Sequence, residues 1–175
     1  AWGAQMEIGA FPTSYIPTTS SSASRSADYA KITNLSRQPW YSNDIGTLLC
    51  DFGPTYQNQS IGLRVLNIQS ENGTVKYNLE GYRAEMRITN SWLGINFDNE
   101  TSAGGKVAMC YDNTGFDAAS YGSSYSELTA TPYYDPDSSL NIGHLNTVVC
   151  STTIKKVAYW PVRLPNAALQ TITEE

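Results

Sequence analysis

Most kinds of side-chain chemistry are poorly supplied in this sequence. One histidine, His144, and three cysteines, Cys50, Cys110 and Cys150, are the whole stock of imidazole and thiol. No Cys-x-x-Cys pair occurs, so a zinc site is not expected. Each cysteine sits inside a strand-like run, which reads as three buried thiols acting as small hydrophobes; a disulfide or a reactive thiol is the alternative. A serine hydrolase is not expected either. There is no Gly-x-Ser-x-Gly elbow, and His144 follows Ile142-Gly143 near a strand end, a position for a structural histidine. Phosphate-cradling loops and dinucleotide fingerprints are absent. No apolar run approaches a membrane-spanning length and no signal-peptide core follows a basic start, so a soluble protein without a membrane partner is expected. The missing initiator Met reads as a processed piece or an excised domain.

Positive charge is scarce as well. Eleven Lys and Arg stand against sixteen Asp and Glu, for a net charge of −5, and only Lys155-Lys156 are adjacent. Neutralising a phosphate backbone needs clustered cations, so no nucleic-acid partner is expected. Carboxylates are more plentiful but badly spaced for catalysis. A retaining glycosidase needs two carboxyls about 5 Å apart, which a strand supplies at i and i+2. The pairs Asp98/Glu100 and Asp135/Asp137 lie among turn residues, where Asx side chains ordinarily shape the backbone. Carboxylates distant in sequence could converge, but no motif says so, and the chain is read as a non-enzyme.

What the sequence does contain is short alternating segments. Leu48, Cys50 and Phe52 point one way and Thr47, Leu49 and Asp51 the other, with Gly53-Pro54 as a break. Ile61, Leu63 and Val65 alternate, then Leu66 and Ile68 take the opposite phase, which predicts a bulge or a strand covered on both faces. Asn72-Gly73 predicts a hairpin turn. Ala84, Met86 and Ile88 should face a core, with Arg83, Glu85 and Arg87 outward. Leu93 to Phe97, Val107 to Tyr111, Phe116 to Tyr121, Leu140 to Gly143 and Val148 to Cys150 continue the series, with a turn at Thr114-Gly115. Ile154 to Trp160 closes it as a strand apolar on both faces, stopped by Pro161. A short helix should begin near Pro165 and lay Leu164, Ala168, Leu169 and Ile172 back on the sheet. Many short strands, no fixed repeat and no long helix predict an all-β sandwich.

Two regions depart from that pattern. Residues 1–30 read as an extended N-terminal strand, Ala1 to Ile8, and a Pro- and Ser-rich linker ahead of a sandwich over 31–175. A lone strand is unstable, so it should pair with an upstream domain or a neighbouring subunit. Residues 121–139 read as a long loop carrying Tyr121, Tyr125, Tyr133, Tyr134, Asp135 and Asp137. Tyrosine outnumbers phenylalanine twelve to four, and several tyrosines sit in turns. Aromatic faces stack on sugar rings while Asp and Asn take hydroxyls, so these six residues, with Trp40 and Tyr41 as a second edge, are the candidate carbohydrate-binding residues. Tyrosines capping a sandwich edge are the plainer alternative, and the Arg83-Glu85-Arg87 face is the other candidate surface.

The segment Lys155-Lys156-Val157-Ala158-Tyr159-Trp160-Pro161-Val162-Arg163-Leu164, followed by Ala167-Ala168-Leu169-Gln170, resembles the end of the concanavalin A-like (laminin-G-like) domains of bacteriophage tail fibre and tailspike proteins. Trp2 to Glu7, Thr13 to Thr18 and Arg25 to Asp28 resemble the connector preceding such domains. Gly46 to Phe52 and Lys106 to Tyr111 are similar to their opening and central strands. The resemblance implies a concanavalin A-like jelly roll in a virion, attached to host-surface polysaccharide. Its partners would be other virion proteins and further copies of this chain, as in a trimer. A structural virion or capsid decoration module without glycan binding is the rival. Laminin-G-like domains often carry Ca²⁺ on a loop rim, and Asp98, Glu100, Asp135 and Asp137 could contribute to one. No EF-hand pattern is present, so neither metal nor cofactor is assigned.

Overall fold

The computed structural model describes residues 5–6, 15–24, 29–54, 64–70, 75–80, 83–88, 91–97, 104–129, 138–145, 148–149 and 152–174. Strands at 75–76, 87–88, 91–93, 124–129, 144–145 and 148–149 are described by backbone alone. Among the described residues the main elements are two antiparallel sheets, a two-stranded ribbon and one short α-helix. The first sheet runs β1 (Ala30–Ile32), β10 (Ser138–Ile142), β3 (Arg64–Ser70), β4 (Val75–Glu80), β5 (Arg83–Ile88), β6 (Ser91–Asn96). The second runs β13 (Ile154–Trp160), β2 (Gly46–Phe52), β7 (Gly105–Asp112), β8 (Gly115–Ser120), β9 (Ser123–Thr129). A small ribbon pairs β11 (His144–Leu145) with β12 (Val148–Val149). The all-β sandwich expected from the alternating segments is the observed architecture.

Period-two patterning decides the layers. On β2, Leu48, Cys50 and Phe52 turn into the core between the sheets, while Leu49 faces outward. On β7, Val107, Met109 and Tyr111 turn inward and Ala108 and Cys110 outward. From the six-stranded sheet, Leu66, Ile68, Tyr77, Leu79, Ala84 and Met86 complete the core, each essentially without solvent contact. The change of phase after Val65 is a register irregularity between Arg64 and Leu66 against β4, as the sequence predicts. The Asn72-Gly73 turn, and most of the expected strand Ala1 to Ile8, fall outside the described residues; Gln5 and Met6 are not in a strand.

Two expectations need correction. Residues 121–139 are not one loop, because 123–129 form β9 and pair with β8 from Ser120↔Ser123 to Gly115↔Thr129. The polar string Ser-Ser-Tyr-Ser-Glu-Leu-Thr hides a strand, since hydrogen bonding to a preceding hairpin needs no apolar stripe on an edge. The β7–β8 turn sits at Asn113-Thr114 rather than Thr114-Gly115. Asp112 sets it by accepting from the Thr114 amide at 2.7 Å, an Asx turn.

The helix α1 (Asn166–Thr173) begins after Pro165 and covers the outer face of the five-stranded sheet. Leu169 is buried with Leu49, Ala108, Cys110 and Ala119, joined at the rim by Ala158, Trp160, Leu164 and Ile172. Alanines on β7 and β8 let the helix sit close. Its approach is pinned by Arg163, which donates to Asp117 Oδ2 at 2.6 Å and lies 2.9 Å from Asp112 Oδ1. Leu164 N donates to Thr47 Oγ1 at 3.0 Å. At the far end the Gly122 amide donates to Thr173 Oγ1 at 3.2 Å, and the Lys106 ammonium donates to the Glu174 carbonyl.

Two outcomes follow from this cover. Leu169→Ala leaves a cavity under α1 and should lower the unfolding free energy by about 3 kcal/mol in urea titration. Burial, only partly offset by Arg163, pushes the Cys110 thiol up to about 11, so it stays protonated at neutral pH. Thiol reagents should therefore modify Cys110 only after unfolding; peptide mapping that finds it labelled quickly in the native protein would contradict the packing.

Candidate functional site

Among the described candidates, the structure separates Trp40 and Tyr41 from Tyr121. Trp40 and Tyr41 stand beside Tyr159 at one end of the sandwich, with ring centroids 5.6 and 5.4 Å from it. Trp40 is partly exposed, whereas Tyr41 packs against the core. Behind them Tyr77 stacks on Tyr111 at 4.1 Å. The Ser42 amide donates to the Tyr159 hydroxyl at 3.0 Å, and the Tyr111 hydroxyl donates to Ser42 O at 3.2 Å. Burial drives the hydroxyls of Tyr41, Tyr77 and Tyr111 far above the ordinary tyrosine range, so they remain neutral. This cluster ties the 40–45 loop to strand ends.

Tyr121 lies at the other end. It takes a left-handed backbone (φ 49°) in the β8–β9 turn, and its hydroxyl donates to the Gly104 carbonyl. Gly46 pairs with Tyr111 near the aromatic cluster and Phe52 pairs with Gly105 near Tyr121, so the length of β2, about 20 Å, lies between them. Tyr125 is on β9, described by its backbone alone. Tyr133, Tyr134, Asp135 and Asp137, and the possible calcium ligands Asp98 and Glu100, fall outside the described residues. Among the described residues no cluster of three metal-ligating side chains occurs.

A different surface is assembled by strand register. Pairing places Lys31, Asn141, Asn67, Asn78, Glu85 and Gly94 in one row across all six strands of the larger sheet. In the rows on either side, Leu66, Leu79 and Ala84, and Ile68, Tyr77 and Met86, face the other way, into the core. The outer face is thus a polar field. Asn141 Nδ2 donates to Asn67 Oδ1 at 2.9 Å and to Gln69 Oε1 at 3.0 Å. Asn78 Nδ2 spends its two hydrogens on two carboxylates, Glu80 Oε1 at 2.8 Å and Glu85 Oε2 at 3.0 Å.

Each glutamate is also matched to an arginine. Arg83 Nη2 lies 2.6 Å from Glu85 Oε1, and Arg64 Nε lies 3.6 Å from Glu80 Oε1, an ion pair too long for a hydrogen bond. The result is a continuous chain, Arg64–Glu80–Asn78–Glu85–Arg83, over β3, β4 and β5. Its middle is buried, with Asn78 at 1% exposure, while the Arg64 and Arg83 side chains are 29% and 35% exposed. Asn96, opposite Arg83, is exposed too, so this end of the face is open to solvent. Gly94 provides the seat for Arg83. A Cβ there would stand 2.6 Å from Nη2 and 2.8 Å from Nε.

Seven buried side-chain atoms among the described residues lack a hydrogen-bond partner, and three of them, Asn78 Oδ1, Arg64 Nε and Arg83 Nε, belong to this network. The two carboxylates do converge, through one amide nitrogen, which spacing in sequence did not suggest. Each faces a guanidinium, an arrangement for holding ions rather than for donating a proton. The Arg83-Glu85 part of this surface was readable from alternation. The amides were missed, although Leu66-Asn67-Ile68, Tyr77-Asn78-Leu79 and Leu140-Asn141-Ile142 repeat one signal, a lone amide between apolar neighbours.

No family profile matches the chain, and no curated protein matches it. Solved structures do. The CBM40 of Ruminococcus gnavus IT-sialidase, bound to α2,3 sialyllactose, is 14% identical, with 85% of this chain and 97% of that chain covered and a TM-score of 0.63. A second structure of the same module gives the same identity, share of this chain and TM-score, with 98% of that chain covered. Trypanosoma rangeli sialidase in complex with sialic acid is 12% identical over 75% of this chain, with a TM-score of 0.56. There the match spans only 23% of the longer protein. At such identities the likeness establishes the fold, a two-sheet β-sandwich.

The seat at Gly94 can be tested without a ligand. A double-mutant cycle between Arg83 and Glu85 should give about 0.5–1 kcal/mol of coupling in the native background. With Gly94→Ala the coupling should fall toward zero while overall stability holds, because the clash is with the end of a flexible side chain.

Proposed function

We propose that this chain is a non-catalytic carbohydrate-binding β-sandwich whose contact surface is the outer face of the six-stranded sheet around Arg64, Asn78, Glu80, Arg83 and Glu85. One observation carries the reading: strand register lays a row of amides and arginine–glutamate pairs along the outer face of the six-stranded sheet, while α1 packs on the other sheet. A sheet face lined with amides and ion pairs suits hydroxyl-rich ligands, which need many directional contacts and little apolar cover. The shared fold with a module seen bound to sialyllactose supports the same class of ligand.

The finer assignment rests on the sequence. Likeness of both chain ends to phage tail fibre and tailspike domains supports a place in a virion, with host-surface polysaccharide as ligand and other virion proteins or further copies of the chain as neighbours. A structural decoration module without glycan binding is the competing reading. The domain boundary near residue 30 belongs to the same proposal.

A glycan array separates these readings and locates the surface. A dose-dependent hit is expected, weakened about tenfold or more by Asn78→Ala with no loss of folded protein. The double variant Tyr133→Ala with Tyr134→Ala tests the loop candidates in parallel. If it abolishes binding while Asn78→Ala does not, the contact surface is the tyrosine segment. Silence across host polysaccharides would favour the structural role, and release of reducing sugar would contradict the non-catalytic one.

A further inference from the structure

We infer that the end of the sandwich around Trp40 and Asp44 is a second carbohydrate site, which stacks one pyranose ring on the Trp40 indole and takes its hydroxyls on the Asp44 carboxylate. This goes beyond the proposed function, because no residue of the sheet face takes part. Exposure marks the place. Four large hydrophobic side chains described within 31–174 are exposed, and three of them, Trp40, Ile45 and Val162, belong to this end. Thr47 Oγ1 donates to Val162 O at 2.7 Å, and the Tyr159 hydroxyl lies 3.2 Å from Ile45 O, which ties both segments to the neighbourhood of Trp40.

Trp40 is mounted on other rings. It is 39% exposed, and its centroid lies 5.6 Å from that of Tyr159 and 6.2 Å from that of Tyr41. The planes are inclined by 66° and 78°, so neither neighbour lies parallel on the indole. Both supports pack against the core, and the Ser42 amide donates to the Tyr159 hydroxyl at 3.0 Å. An aromatic held in one orientation loses little freedom when a ligand stacks on it. Tyr41 turns inward and is a support rather than a contact.

An acceptor stands in the same loop. Ser42 Oγ accepts from the amides of Asp44 and Ile45, at 3.3 Å each, which fixes the turn that carries Asp44. Asp44 is exposed, and among the described residues it takes part in no ion pair. Burial raises the Tyr41 hydroxyl first and the Asp44 charge adds to it, so the carboxylate acts on the same aromatic cluster. Such a carboxylate offers two oxygens, each an acceptor for a sugar hydroxyl in a charge-assisted bond.

Size chooses the occupant. Three part-exposed side chains present at most a few hundred Å², against about 800 Å² per partner in a stable protein interface. A pyranose ring has an apolar C–H face comparable in extent to an indole, with hydroxyls around its edge.

The test is a residue-resolved NMR titration of the native chain with the methyl glycosides of glucose, galactose, mannose and N-acetylglucosamine, and with cyclohexanol as an apolar control. At least one glycoside should shift the Trp40 indole N–H, identified by its loss in Trp40→Phe, in a saturable way. Trp40→Ala should weaken that binding about tenfold and Asp44→Asn about fivefold, with folding checked by thermal melting. An unmoved Trp40 indole, or an equal response to cyclohexanol, overturns this inference. Unchanged affinity in folded Asp44→Asn overturns it as well. A Trp40 shift that follows protein concentration without sugar assigns the patch to a second copy of the chain and also overturns it. Shifts confined to the sheet face around Asn78 leave the proposed function standing while this second site falls.

Discussion

Leu169 inserted between Leu49, Ala108, Cys110 and Ala119 is the contact on which the use of this sandwich depends. A two-sheet sandwich has two outer faces, and a helix on one of them hides it from any ligand. Small residues on β7 and β8 allow that approach. Arg163 at one end of the segment and Thr173 at the other hold the helix along the strands. With α1 on the five-stranded sheet, the six-stranded sheet carries its outward side chains in register with one another.

On that second sheet the physical demands reverse. Asn67, Asn78, Asn141, Glu80 and Ser139 are as buried as the core leucines, yet they face away from the core. Burying amides and charges is costly unless each is met, and a partly met network is less stable than an apolar patch. The network here is met at its inner end, where Asn141 bridges Asn67 and Gln69. It is left short by three atoms toward Arg64 and Arg83.

Much of the scaffold could be read from neighbours in sequence. Alternation assigned Leu48, Cys50 and Phe52 to the core and Leu49 to the outside, the phase change at Leu66 marked the bulge, and Pro165 marked the helix. These features follow from periodicity and local backbone limits. The site was not readable in the same way, because it depends on which strand lies beside which. Asn141 meets Asn67 across 74 residues of chain, and only long-range register makes them adjacent. Tyrosine abundance has a structural use as well, also set by long-range register. Composition shows a surplus of aromatics, but Tyr41, Tyr77, Tyr111 and Tyr159 use it to cap one end of the sandwich.

A β-sandwich can keep its shape while nearly every outward side chain changes, since the core alternation and strand pairing carry the fold. Ligand preference is written on the outward alternate positions, which the fold does not constrain. An arginine on such a strand can meet an anionic sugar or an internal glutamate, and the choice turns on a single cross-strand neighbour. Here Arg83 meets Glu85 two residues along its own strand, with Gly94 beside it giving the guanidinium room to lie flat. That local choice ties the Arg83 cation to a carboxylate of its own sheet.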